Sequence, residues 1–382
     1  MEPTLITSEP CAPYETHWYS CHSGDLYRSF VWHAYAYDCT TAMTLQPAAP
    51  EEKHQPVRST AKHPTRPDAP WEVQCGDAYD LFPKLAKDSV DLVLTSPPYW
   101  GLRDYEADHN WDILGDWKGE GHAVEEIPPF EWYREHGGLL GLEPLPEWYV
   151  AHLVEIIDRG KDALKPGGSL WLNIGDTYFA RWSSIRSNGR QGLNGDERMR
   201  RKTPMGGFRQ EKQLLLIPAR VAIALQDRRW ILRNDLIWYK PNVPPRPFKD
   251  RLGSTHEHFF HFVKRPKEGR AAYYYDIVQA EPRAHDVVEV NVRAGRDGHS
   301  ATFPEKLIEP RILSSCPPGG LVVDPFSGIG TTLRVAVKHG RRALGFEINA
   351  RFAEASCKPL SQRTFDEIPT FDEIPKEQPA GA

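Results

Sequence analysis

The sequence has little of what several common activities require. No apolar run approaches the roughly 20 residues of a membrane-spanning helix, so no membrane partner is expected. Six cysteines, at positions 11, 21, 39, 75, 316 and 357, form no Cys-x-x-Cys pair, which argues against a disulfide framework. Scattered reduced thiols fit a cytoplasmic protein. Cys21, His22, His33 and Cys39 are too irregularly spaced to read as a zinc site, and no metal is expected. The first residues, Met1 to Cys11, lack a basic region followed by an apolar one, so no secretory signal is expected. A net charge of −5 excludes a globally basic nucleic-acid binder; any phosphate contact must come from local patches.

What is present suits a large α/β domain with insertions. The chain has 382 residues, 40% of them apolar, enough for a sizeable core. Residues 1–70 carry no sustained periodicity and end in a stretch rich in Pro, Ala, Glu and Lys, so they read as an irregular or disordered extension. The catalytic core is expected over 71–360. Residues 361–382 form an acidic low-complexity tail in which Thr-Phe-Asp-Glu-Ile-Pro occurs twice. Within the core, short apolar runs alternate with helical patterns. Strands are expected at Glu72–Cys75, Val90–Leu94, Ser169–Gly175, Trp230–Trp238, His258–Val263, Leu321–Val323 and Arg342–Glu347. Helical spacing predicts a helix from Glu147 through Leu164, stopped by Pro166-Gly167-Gly168, and others over 304–313, 331–339 and 348–360. Three insertions interrupt this alternation, near 101–146, 179–212 and 243–300. The first reads as a long loop; the second is strongly basic against an acidic chain, which favours phosphate contact.

Two strand ends carry chemistry. After Val90–Leu94 comes Thr95-Ser96-Pro97-Pro98-Tyr99-Trp100, where two prolines end the ladder and hold a hydroxyl, a rigid carbonyl and an aromatic ring together. In open α/β sheets, ligands bind at that strand edge. After Leu321–Val323 comes Asp324-Pro325-Phe326-Ser327-Gly328-Ile329-Gly330-Thr331-Thr332, a glycine loop opening a helix, with the acid Glu347 ending the next strand. Such an acid is the expected partner of ribose hydroxyls. The loop lacks Gly-Lys-[Ser/Thr], and Asp324 would repel a pyrophosphate but attract a ligand ammonium. An adenosyl ligand with a cationic amino-acid end satisfies both acids, which points to S-adenosylmethionine. If the strands ending at Leu94 and Val323 are parallel neighbours, the two loops meet at one edge.

These paired motifs, in this order, resemble the β-class DNA amino-methyltransferases over about residues 71–360. The resemblance implies a Rossmann-like S-adenosylmethionine-dependent methyltransferase sheet with circularly permuted motif order and helices on both faces. The insertions would then serve target recognition. Ser96, Pro97, Pro98 and Tyr99 correspond to the catalytic tetrad. Asp324, Pro325, Phe326, Ser327, Gly328, Gly330, Thr331 and Thr332 correspond to the methionine-binding loop and Glu347 to the ribose acid, with Thr95 also placed at the cofactor site. Phe303 and Pro304, after His299, resemble the segment lining the cofactor's other side. Gly76-Asp77-Ala78 is similar to the motif whose acid, Asp77, approaches the adenine. Leu232–Lys240 fits a strand supporting the target base. Expected partners are double-stranded DNA and a cognate restriction enzyme, with the chain a monomer or homodimer in a prokaryotic or phage-host cytoplasm.

The implied reaction is methyl transfer to an exocyclic amine of a flipped base. Ser-Pro-Pro-Tyr is the family form associated mainly with cytosine N4; adenine N6 is the alternative. Carbon-5 methylation needs a nucleophilic cysteine, and Cys11, the one cysteine that follows a proline, lies in the irregular extension. RNA or protein-glutamine acceptors and a non-catalytic DNA-binding protein are the competing classes. Intact motifs argue against the last, and large basic, aromatic insertions favour a duplex.

Overall fold

Every residue of Val90–Thr95 is buried, and its apolar side chains alternate between two cores. Val93 joins one, Leu92 and Leu94 the other. A strand covered on both faces gives that pattern. The alternation recurs where Leu170, Leu172 and Ile174 oppose Trp171, and where Phe260 and Phe262 oppose Phe259.

The computed structural model describes residues 69–101, 109–180, 200–243, 248–280, 285–292 and 303–361, with short strand segments at 19–20, 26–27, 182–185 and 191–192. Residues 1–54 form a separate unit, in which β1 (Tyr19–Ser20) pairs antiparallel with β2 (Leu26–Tyr27). The zinc candidates Cys21, His22, His33 and Cys39, like Cys11 and the acidic tail, lie outside the described residues.

The second unit is built on one mixed sheet. Its strands are β3 (Trp71–Cys75), β4 (Val90–Thr95), β5 (Leu164–Ile174), β9 (Trp230–Tyr239), β10 (His256–Lys264), β11 (Val287–Glu289), β12 (Leu321–Asp324) and β13 (Arg342–Glu347). Their spatial order is β11-β9-β10-β5-β4-β12-β13-β3. All run parallel except β10, which is antiparallel to both β5 and β9. From β4 the chain proceeds to β5 on one side and returns through β12 on the other. The crevice at a parallel sheet's carboxyl edge therefore opens where β4 meets β12. The expected neighbour relation holds, with Val322 opposite Leu92 and Val323 opposite Val93. Buried Asp91 links three strands: its carboxylate accepts from Lys165 Nζ at 2.8 Å and from the Leu321 amide at 2.9 Å. Three further strands, β6 (Trp182–Ile185), β7 (Gln191–Gly192) and β8 (Arg200–Lys202), form a small antiparallel sheet inside the basic insertion, where a polar loop was expected.

The helices are α1 (Ala78–Leu81), α2 (Ile113–Gly119), α3 (Phe130–Glu135), α4 (Pro146–Arg159), α5 (Ile217–Asp227), α6 (Ile277–Ala280), α7 (Glu305–Ser315), α8 (Thr331–Lys338) and α9 (Ala350–Ser361). Leu153, Ile157, Val221 and Leu225 bring α4 and α5 to the first core, while Leu307, Ile312, Val335 and Ala353 bring α7, α8 and α9 to the second. Two expectations need correction. The helix from Glu147 does not reach Leu164: Gly160 caps it, and Leu164 begins β5 instead. The first insertion is not simply a loop, because α2 and α3 bury Ile113, Trp117, Phe130 and Tyr133. Those aromatics are too sparse in sequence to show a period, yet they pack against Trp148 and His152 of α4. No described helix is long and apolar enough to cross a membrane.

Candidate active site

Ser96 and then both prolines follow β4, so the ladder stops at Thr95 and the turn projects from the carboxyl edge. Thr95 is fully buried, and its hydroxyl donates to Asp324 Oδ1 at 2.6 Å across 229 residues of sequence. Thr332, in the first turn of α8, donates to Asp324 Oδ2 at 2.6 Å, and the Phe326 amide reaches Oδ1 at 3.1 Å. The carboxylate therefore joins the Ser-Pro-Pro-Tyr turn to the glycine loop. Its geometry differs from a simple ammonium acceptor, since both oxygens already take protein donors. Burial pushes the Asp324 carboxyl up to about 6, against the lowering effect of the three donors.

Glu347 ends β13 beside this loop. Its Oε2 accepts the Gly328 amide at 2.8 Å and its Oε1 the Asn349 amide at 2.9 Å. Burial, helped by the Asp324 charge and opposed by these two amides, pushes its carboxyl up to about 7. Two amide bonds leave lone pairs on both oxygens for ribose hydroxyls. Asp77 follows the adjacent strand β3, whose Cys75 lies opposite Glu347. It caps α1 by accepting the Tyr79 amide at 2.9 Å, and Arg134 of α3 lies 3.7 Å away. Phe303 is buried near Phe259, with ring centroids 6.5 Å apart, and Pro304 is the cap residue before α7. Arg334 ties that helix start to the loop, pairing with Glu305 at 3.8 Å and donating to the Ile329 carbonyl at 2.9 Å. His299 lies outside the described residues.

The loop fits an adenosyl ligand. Ser327 Oγ is buried without a hydrogen-bond partner, a donor and acceptor left for something other than the protein. Gly328 has φ +51° and open space where a side chain would stand, so a ligand can approach the backbone there. Gly330 adopts φ +75° as the residue capping α8.

At the Ser-Pro-Pro-Tyr turn, Ser96 Oγ lies 3.3 Å from the Tyr99 hydroxyl. That hydroxyl lies 2.9 Å from Glu257 Oε2 and 3.2 Å from Asn173 Oδ1. Lys240 pairs with the other Glu257 oxygen. The Pro98 carbonyl accepts from the Tyr149 hydroxyl at 2.8 Å, whereas the Pro97 carbonyl takes no hydrogen bond among the described residues. The first insertion is pinned against this turn. Gly101 donates to the Gly141 carbonyl at 2.8 Å, and Trp100 Nε1 to the Glu143 carbonyl at 3.0 Å. The fully buried Glu143 in turn contacts His152 of α4 at 3.2 Å.

Sequence reasoning missed Asn173, Glu257 and Tyr149. Asn173 left a faint signal, a lone amide at the carboxyl end of an apolar strand; Glu257 and Tyr149 left none. The basic insertion also needs revision. Arg209 is buried and paired with Glu147, and Lys212 pairs with Asp250 at 2.7 Å, so both cations already have acidic partners. Arg251, by contrast, stacks over Tyr178 at 3.7 Å and Phe248 at 3.5 Å, and its charge acts on Asp250 without a direct ion pair among the described residues.

A family model described as DNA methylase, for N6 and N4 amines, matches residues 90–358. The Type II methyltransferase M.Cfr9I of Citrobacter freundii is 34% identical over 293 residues, 75% of this chain and 86% of that protein. M.SmaI of Serratia marcescens, also a Type II methyltransferase, is 32% identical over 298 residues, 75% of this chain and 90% of that one. The solved structure of PvuII DNA methyltransferase, described as cytosine-N4-specific, shares the fold with a TM-score of 0.52 at 21% identity, covering 75% of this chain and 85% of that one. A Ser-Pro-Pro-Tyr turn joined by Thr95 and Asp324 to the glycine loop agrees with these matches. The chain belongs to the family of N6/N4 DNA methylases, enzymes that transfer a methyl group from S-adenosylmethionine to an exocyclic amine of DNA.

Proposed function

We propose that this chain methylates the N4 amine of cytosine, flipped out of a duplex at a specific site. The observation that carries this reading is the Ser96 hydroxyl beside the unbonded Pro97 carbonyl, one residue from the Thr95–Asp324 link to the cofactor loop. A serine, rather than an acid, opens the tetrad, and that form resembles the cytosine branch of the family.

The lone pair of an aromatic amine is delocalised into the ring, which makes it a poor nucleophile. Ser96 Oγ and the Pro97 carbonyl accept the two amine hydrogens and favour a pyramidal nitrogen with its lone pair outward, stabilising charge as it develops. The Tyr99 ring stacks on the base, which must leave the duplex to enter the pocket. When bound, S-adenosylmethionine supplies the methyl group, activated on a sulfonium. Glu347 holds its ribose, Asp77 approaches the adenine, and Asp324 fixes the loop against the catalytic turn, so that alignment supplies much of the acceleration. Target recognition is assigned to 101–146, 179–212 and 243–300. A restriction enzyme of matching specificity is the proposed partner, and the cytoplasm of a prokaryotic or phage host the proposed place of action.

Ser96→Ala and Tyr99→Ala are each expected to lower the methyl-transfer rate by about 100-fold or more. Affinity for S-adenosylmethionine should stay within about twofold, because the hydrogen bonds of these side chains run to each other, Asn173 and Glu257 rather than to the loop. Single-turnover kinetics and calorimetry measure the two quantities. Full activity in either variant removes the mechanism. Mass spectrometry of nucleosides from methylated DNA decides the base: N4-methylcytosine is expected, and N6-methyladenine would reassign the pocket.

A further inference from the structure

Ser96 can accept an amine hydrogen only if its own hydroxyl hydrogen points elsewhere, and the hydrogen bonds around it determine that direction. The Tyr99 hydroxyl has one hydrogen and two acceptors within reach. Glu257 Oε2, at 2.9 Å, is both nearer and charged, while Asn173 Oδ1 lies at 3.2 Å. A charge-assisted bond takes the hydrogen. The phenol oxygen then faces Ser96 as an acceptor, at 3.3 Å. Burial and the Glu257 charge hold the Tyr99 phenol well above its ordinary value, so it remains a donor across the working pH range. Lys240 pairs with the second oxygen of Glu257, which leaves Oε2 to face the phenol. The fold also makes room for the pair. A Cβ on Gly175 would come 2.9 Å from Tyr99 Cε2 and 3.2 Å from Glu257 Cγ.

We propose that Glu257 is a positioning residue for methyl transfer: by taking the Tyr99 hydrogen it turns the Ser96 hydroxyl toward Tyr99 and leaves the Ser96 lone pairs to the amine of the target base. This rests on the reading that Ser96 receives the amine. Glu257 touches neither base nor cofactor in this scheme. It acts through Tyr99, and the tyrosine hydroxyl, beyond its ring, gains a function. Glu257→Gln keeps the shape but permits the reverse polarity, because an amide nitrogen facing the phenol donates where the carboxylate accepted.

The test is a double-mutant cycle with Glu257→Gln, Tyr99→Phe and the combined variant, measured by single turnover on duplex DNA beside the wild-type enzyme. Cofactor binding by calorimetry verifies that each variant is folded. Glu257→Gln should lower the transfer rate by about 10- to 100-fold, with KM for DNA within about threefold and S-adenosylmethionine affinity unchanged. Tyr99→Phe should cost a similar factor, and the combined variant no more than the worse single one, because Phe removes the hydroxyl through which Glu257 acts. Glu257→Asp should recover part of the rate. A purely structural ion pair predicts otherwise: lost stability or a raised KM with an unchanged rate, or losses that multiply in the combined variant. Either result overturns the positioning role while wild-type activity upholds the reading of Ser96. If the wild type modifies no amine on DNA, that reading fails and the positioning role with it.

Discussion

Burial favours the protonated form of Glu347, the proposed ribose acid, and on that proposal the free and cofactor-bound chains have opposite pH preferences. The Glu347 carboxyl moves from its ordinary 4.5 to about 7, so the folded chain holds that proton more tightly than the unfolded one. The stability it contributes is fully present below the unfolded value and is lost as pH rises through about 7. Over that interval the effect corresponds to roughly 3 kcal/mol. Glu347→Gln is therefore expected to raise the melting temperature of the cofactor-free chain at about pH 8 and to change it little near pH 4.5. In the proposed role of Glu347 binding makes the reverse demand, because ribose hydroxyls would donate to the ionised carboxylate. Affinity for S-adenosylmethionine should rise with pH through about 7 in the wild type, and the Gln variant should lose the Glu347 share of that rise. Calorimetry across this range, with thermal melts of the free chain, measures both. A Gln variant that melts like the wild type at every pH would remove Glu347 as the source. The described cysteines take no part in such chemistry: burial raises the thiols of Cys75, Cys316 and Cys357, with Cys316 at about 12. They are poor nucleophiles, as an amine methylase permits.

Between elements, the close approach of strand to loop matters more than any single hydrogen bond. Gly345 in β13 leaves no space above it: a Cβ there would stand 2.8 Å from Ser327 Cβ and Oγ and 3.0 Å from Leu333 Cδ2. Gly345→Ala is expected to cost about 1–3 kcal/mol of stability and to lift the cofactor loop. Affinity for S-adenosylmethionine should then fall more than that for DNA, which thermal melts and binding titrations can separate; equal losses would mean general unfolding. Much of this architecture was legible in the sequence. Runs such as Val90–Leu94 and Leu321–Val323 announce strands buried on both faces, and the glycines and acids at their ends mark one sheet edge. What escaped were relations without a local signal. Pro166-Gly167-Gly168 reads as a helix stop, yet the strand begins before it at Leu164, since tertiary pairing with Val90 overrides the turn residues. The aromatics of α2 and α3 become a core only against α4. Glu257 is an unremarked acid before an aromatic strand until β10 runs antiparallel between β5 and β9 and brings it to Tyr99.

For the whole molecule, a net charge of −5 must coexist with DNA binding, so the distribution of cations matters more than their number. Arg209 and Lys212 belong to the basic insertion but are neutralised by Glu147 and Asp250. Arg251 is different: two aromatic rings hold its guanidinium plane, and its charge acts on neighbouring Asp250, which already pairs with Lys212, without a direct ion pair of its own among the described residues. Stacking fixes the direction of its donors and lowers the entropy lost when they meet a phosphate. Adjacent Leu252 is 89% exposed, so this segment is also open to a large partner. Arg251→Ala is expected to weaken duplex binding by a similar factor on cognate and unrelated sequences. It should also reduce the slope of log affinity against log salt by about one. Arg209→Ala should instead lower stability, since it removes a buried cation and leaves the half-buried Glu147 carboxylate without its partner, and leave the salt slope unchanged. Anisotropy titrations on two duplexes over a salt series distinguish these outcomes. A change of specificity without a change of slope would move Arg251 from the phosphate backbone to a base edge.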